Sequence, residues 1–111
     1  MTDDALVRFL AEKCHGWTEK PTSMGDQWVD ETGLCHGCVP LMHWNPLTSD
    51  ADAFGLLRSM AEKGFEIEMF GDDEYWTCNV ISSGRLLANE PNPDPLRAIC
   101  VACYRALGGE E

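Results

Sequence analysis

The sequence predicts a single α+β domain, in the order helix, irregular segment, helix, three strands, helix. Three observations predict it. Apolar residues recur at helical spacing in three places, and they alternate with polar residues between the second and the third. Each of these stretches is bounded by its own cap or turn residues. The chain has 111 residues, 44% of them hydrophobic, which suits one core and leaves no room for a second.

The first helix is expected over residues 2–14. Thr2 caps it, and Asp3 and Asp4 occupy the first turn, where the helix dipole favours acids. Leu6, Phe9 and Leu10 follow helical spacing, and His15-Gly16 ends the helix. Residues 18–46 form a Cys- and Trp-rich segment broken by Pro21, Gly25, Gly33, Gly37, Pro40 and Pro46. An ordered loop is expected there, with one short strand at Gln27-Trp28-Val29-Asp30. Trp17, Trp28 and Trp44 should pin that loop, because tryptophans at this density do not suit disorder.

A helix–three strands–helix module follows over 47–107. Thr48 or Ser49 caps its first helix, and Asp52, three residues after Ser49, makes a variant of the capping box. Ala53, Phe54, Leu57, Met60 and Ala61 form the apolar stripe, and Gly64 is placed to end the helix in the left-handed conformation. Phe65, Ile67 and Met69 alternate with Glu66 and Glu68, the period of a half-buried strand. Gly71-Asp72-Asp73 turns the chain into a second strand, where Trp76, Cys78 and Val80 alternate with Thr77 and Asn79. Ser82-Ser83-Gly84 turns it again, into a third strand from Arg85 to Asn89. Pro91, Pro93 and Pro95 should stop further pairing. Asp94 caps the last helix with Pro95 at its first position, and Leu96, Ile99, Cys100, Cys103 and Leu107 mark its core face.

Short connections make the strands an antiparallel meander of three to four strands, with the two flanking helices on one face. If the N-terminal helix covers the other face, the result is a three-layer α/β/α sandwich of order α-(β)-α-β-β-β-α.

Lys plus Arg number 8 and Asp plus Glu 19, for a net charge of −11. Such a surface repels nucleic-acid phosphate and anionic lipid over about 8 Å at cellular ionic strength. Nucleic-acid binding needs clustered Lys and Arg, whereas the basic residues here are scattered. The expected partner is therefore a protein with a basic surface, with no direct nucleic acid and no membrane. Met1-Thr2-Asp3-Asp4 lacks the positive charge of a secretory signal, and no window approaches the ~20 apolar residues of a membrane span. A soluble, cytoplasmic protein is expected. Its six cysteines then meet a reducing compartment, which disfavours a disulfide framework.

The order of the 47–107 module resembles the double-stranded RNA-binding domain. That family grips phosphate with lysines at the start of its last helix, and Pro93-Asp94-Pro95-Leu96-Arg97 lacks them. A closer resemblance covers nearly the whole chain. Leu10-Ala11-Glu12-Lys13 with Gly16-Trp17 resembles the opening of small bacteriophage proteins carrying the phage ABA sandwich domain. So does Trp44-Asn45-Pro46-Leu47-Thr48 running into a helix, with a Trp-bearing middle strand and Ala98-Ile99-Cys100 in the last helix. The resemblance implies a phage or prophage origin and a three-layer α/β/α sandwich. It brings no catalytic residues, and the Cys35-His36-Gly37-Cys38 segment departs from its pattern.

Two CxxC pairs, Cys35/Cys38 and Cys100/Cys103, raise the question of metal. A CxxC on a tight turn offers zinc two thiolates at the required bite. Cys35, Cys38, His36 and His43 are the candidate ligands of a structural zinc, with Cys14, His15 and Cys78 as further candidates. Cys100 and Cys103 lie on the core side of a helix and read as small buried residues. A redox CxxC normally opens a helix, and Val39-Pro40-Leu41 does not start one. Cys14 with His15, or Cys35 with His43, is an alternative Cys–His pair for a small enzyme, although sequence neighbours rarely face each other on a helix. No Walker-type or Gly-x-Gly-x-x-Gly loop supports a nucleotide.

Glu66, Glu68, Asp72, Asp73 and Glu74 form an acidic run with no basic residue between Lys63 and Arg85. They read as a solvated strand face or as a surface that docks on a basic partner. No catalytic set emerges. The expected function is that of a small acidic phage accessory protein that binds a protein partner and inhibits a host nucleic-acid-handling or defence complex. A zinc-stabilised interaction module and a small Cys- or carboxylate-based enzyme are the alternatives.

Overall fold

The structure, a computed structural model, describes residues 2–22, 25–30, 35–40 and 44–109, with the side chains of 22, 25–27 and 35–40 outside that description. The elements run α1 (Asp3–Lys13), β1 (Thr18–Thr22), β2 (Gly25–Val29), β3 (Cys35–Pro40), α2 (Asp50–Glu62), β4 (Glu66–Gly71), β5 (Trp76–Ser82), β6 (Arg85–Asn92) and α3 (Pro95–Ala106). Among the described residues this is a mixed α+β fold of three helices and two antiparallel sheets, ordered β1-β2-β3 and β4-β5-β6.

The capping signals act as read, but the core face of α2 is Ala53, Leu56 and Met60, with Phe54 and Ala61 of the expected stripe exposed. The Thr2 hydroxyl accepts from the Ala5 N–H at 3.1 Å, Ser49 from Asp52 at 3.2 Å, and Asp94 from Leu96 at 3.0 Å. The Asp52 carboxylate reaches back to the Asn45 N–H at 2.9 Å rather than closing a capping box on Ser49. Gly64, at φ +96°, ends α2 in a Schellman turn: its N–H bonds to Ala61 and that of Phe65 to Met60.

Two expectations are corrected. Most of residues 18–46 was expected as loop, yet three antiparallel strands form there. Thr18 pairs with Val29 and Thr22 with Gly25, and β2–β3 shifts register between Gln27 and Val29. Pro21 and Pro40 read as breakers, but both lie on edge strands, where proline is tolerated. For the same reason β6 runs past Asn89, with Pro91 opposite Thr77 and Asn92 opposite Trp76.

The core gathers around α3. Ala98, Cys100, Ala102 and Cys103 are fully buried, and Ile99 and Tyr104 nearly so. One side of α3 lies on β5 and β6, where Cys78, Val80 and Ala88 point inward. Its other sides meet α1 and α2 through Leu6, Leu10, Ala11, Leu56 and Met60. Ala98 and Ala102 lie off the predicted core stripe. They share a face of α3 with Arg105, which pairs with Glu90 of β6, so the sheet covers them. On another side α1 packs, where Phe9 sits edge-on to Tyr104 at 4.6 Å and Arg97 pairs with Asp3 at 2.5 Å. The N-terminal helix thus lies on α3 and not on the far face of the sheet. Across that far face Glu68, Asn89, Phe70 and Leu87 are exposed, and Thr77, Asn79 and Ile81 half-exposed. No helix among the described residues is long and apolar enough to cross a membrane.

Ala102→Leu should destabilise the fold by about 1–3 kcal/mol, read from urea unfolding, because no space exists beside α3 for three more carbons. Leu86→Ala, on an exposed strand end, should change stability by about 0.5 kcal/mol or less.

Candidate interaction surface

The β4–β5 hairpin carries the acidic run. Its ladder pairs Glu66 with Ile81, Glu68 with Asn79, Phe70 with Thr77 and Gly71 with Trp76. Strand alternation sends Ile67 and Met69 toward the helices and Glu66, Glu68 and Phe70 to the open face. The five acids Glu66, Glu68, Asp72, Asp73 and Glu74 are all exposed. Ion pairs engage four acids elsewhere: Asp4 and Glu19 with Arg8, Asp3 with Arg97, and Glu90 with Arg105 at 2.6 Å. Among the described residues no ion pair engages any of the five hairpin acids.

Asp72 has a second task. One of its carboxylate oxygens accepts the N–H groups of Tyr75 and Glu74, each at 2.8 Å, and the Asp72 N–H bonds back to the Tyr75 carbonyl. These bonds hold its carboxyl below the usual carboxylate range. The residue closes the turn, and the outward charge falls chiefly to Glu66, Glu68, Asp73 and Glu74.

The same hairpin exposes apolar groups, Phe70 on the face of Glu66 and Glu68 and Trp76 on the opposite one. Phe70, Tyr75 and Trp76 are 55%, 49% and 39% exposed, while Trp17, Trp28 and Trp44 are buried. The Trp76 ring lies over Gly71, where an added Cβ would meet it at 2.6 Å. At the other end of the sheet Ile81 pairs with Leu86, and Leu87 is the extra residue of a bulge beside Val80. Sequence reasoning passed over Phe70, Leu86 and Leu87, although a signal was present. Phe70 directly follows Met69, and Leu86 directly precedes Leu87. Adjacent apolar residues on a strand cannot both face one core.

The other described candidate groups lie in the core or at the end of α1. The zinc reading put Cys35 and Cys38 on a tight turn, but that backbone belongs to β3, where three residues span roughly 10 Å. The side chains of Cys35, His36 and Cys38, and all of His43, lie outside the described residues. Among those described, no group of three or more His, Cys, Asp or Glu is placed to hold a metal. Cys14 and His15 face different partners. Cys14 donates weakly to the Leu56 carbonyl at 3.7 Å. His15 Nδ1 meets the Ser59 hydroxyl at 2.8 Å, and its ring stacks on Trp17 at 4.2 Å. Trp44 closes that cluster edge-on, 5.3 Å from Trp17. It ties the end of α1 to α2.

Cys14, Cys78, Cys100 and Cys103 are buried free thiols. Burial pushes Cys14 up to about 11 and Cys78 and Cys100 up to about 12, with Glu90 adding to the shift at Cys78. Cys103 moves in the same direction for the same reason.

No family model matches the chain, and no curated protein or solved structure matches it either.

The thiols yield a pH prediction. The folded chain keeps protons that an unfolded thiol releases near pH 9. Stability should therefore be fully present below that pH and fall as pH rises toward about 11 and 12. Urea midpoints across pH 8–11 should decline, with a shallower slope in Cys78→Ala/Cys100→Ala. Peptide-mapped alkylation at pH 8 should leave all four residues unlabelled until denaturant is added.

Proposed function

We propose that this chain is a small, non-enzymatic accessory protein that acts by binding a protein with a basic surface, through the hairpin of β4 and β5. The observation that carries this is the set of exposed hairpin acids outside every described ion pair, with exposed Phe70 on the same face as Glu66 and Glu68 and exposed Tyr75 at the turn. Charge supplies steering and choice of partner, and desolvated aromatic groups supply most of the affinity. The net charge of −11 makes nucleic acid the wrong partner and a nucleic-acid-binding protein a fitting one. In that case the hairpin stands in for phosphate. The resemblance to phage ABA sandwich proteins supports a phage or prophage origin. The target is then a host nucleic-acid-handling or defence complex in the host cytoplasm. The finer fold reading belongs to the same proposal: the three-layer α/β/α arrangement is completed only when the open face of the sheet is covered.

Immobilised wild-type chain incubated with host-cell extract, followed by mass spectrometry, supplies the partner for a direct titration. Glu66→Lys/Glu68→Lys/Asp73→Lys should weaken that binding by about 100-fold or more, and Phe70→Ala by about tenfold or more. Both variants spare Asp72, so the turn persists. Affinity unchanged by the triple reversal in a folded variant overturns the proposal.

A further inference from the structure

Each sheet has two edge strands: β1 and β3 in one, β4 and β6 in the other. An unpaired edge is a template for another strand, and proteins blunt such edges with proline. Three of these strands carry one: Pro21 in β1, Pro40 in β3 and Pro91 in β6. The fourth, β4, reads Glu-Ile-Glu-Met-Phe-Gly and has none. Its inner side is laddered to β5 from Glu66 to Gly71. Among the described residues no backbone hydrogen bond reaches its outer side.

Charge decides what fits there. A second copy pairing antiparallel through the same edge would set Glu66 and Glu68 against the Glu66 and Glu68 of its own β4, and like charges directly opposite are destabilising. A strand with Lys or Arg at every second position would place each cation beside a glutamate on the open face. Its intervening apolar residues would fall beside half-buried Ile67 and Met69. We infer that β4 is a strand-addition site for an extended segment of the partner protein in which basic and apolar residues alternate. This rests on the acidic-hairpin reading above and gives it a geometry: the main chain binds the edge, and Glu66 and Glu68 set the register.

The probe is a synthetic peptide of about seven residues alternating Lys or Arg with Val or Ile. It is titrated into the full chain by calorimetry. A twin peptide carries N-methyl groups on the amides that would face β4. The unmodified peptide should bind and give nuclear Overhauser contacts to Glu66–Gly71. Methylation keeps its charge but removes two or three main-chain bonds, and should weaken binding roughly tenfold or more. Glu66→Lys/Glu68→Lys should abolish binding. Equal affinity for the two peptides, with binding still lost on charge reversal, overturns strand addition and leaves the acidic surface standing. Affinity unmoved by charge reversal, or no binding by either peptide, overturns strand addition and counts against the acidic surface as well.

Discussion

Helix α3 is buried on more sides than one apolar stripe can cover, and its small residues make that possible. Ala98, Cys100, Ala102 and Cys103 leave room for β5 and β6 on one side and for α1 and α2 on the others. The larger side chains come from the neighbours: Leu6 and Leu10, Leu56 and Met60, and Val80. Interiors packed to crystal density tolerate little change in volume, so this one helix sets the spacing of everything around it. The buried cysteines belong to the same arrangement. They behave as small hydrophobes whose thiols stay protonated because their surroundings are apolar.

Placing α3 at the centre has a consequence for function. All three helices lie on one side of the β4–β6 sheet, so among the described residues no helix covers its other face and no strand pairs with the outer edge of β4. The chain's excess of acids makes that exposure selective. Arginines answer Asp3 and Asp4 of α1, Glu19 of β1 and Glu90 of β6, and the hairpin keeps its charge. The same two glutamates discourage self-association and suit a basic partner, so protection of the edge and recognition draw on the same residues.

Local signals in the sequence located every helix and the second meander. Thr2, Ser49 and Asp94 cap as their residue types require, and Ile67, Met69, Cys78 and Val80 face inward as their alternation requires. Of the first sheet only its middle strand was legible, at Gln27-Trp28-Val29-Asp30. Strands β1 and β3 were not, because Pro21 and Pro40 obstruct a strand only where both of its sides are paired, and edge position is a tertiary fact. The burial of Ala98 and Ala102 was hidden for a similar reason: it depends on how widely the sheet covers α3. The acids of the candidate surface were plain from composition. Their lack of described ion pairs, the turn-closing role of Asp72 and the exposure of Trp76 were not, since each depends on what lies opposite in space.

The most direct test of this account is site-resolved amide hydrogen exchange on the free chain, because it separates the buried centre from the open edge in one experiment. Amides of α3 and β5 should be the slowest, opening only with global unfolding, while outward-facing amides of β4 should exchange faster by orders of magnitude. If α3 exchanges as readily as the ends of α1, or both sides of β4 are as protected as β5, then the helix is not the centre of the fold or the edge is not open, and the account is contradicted.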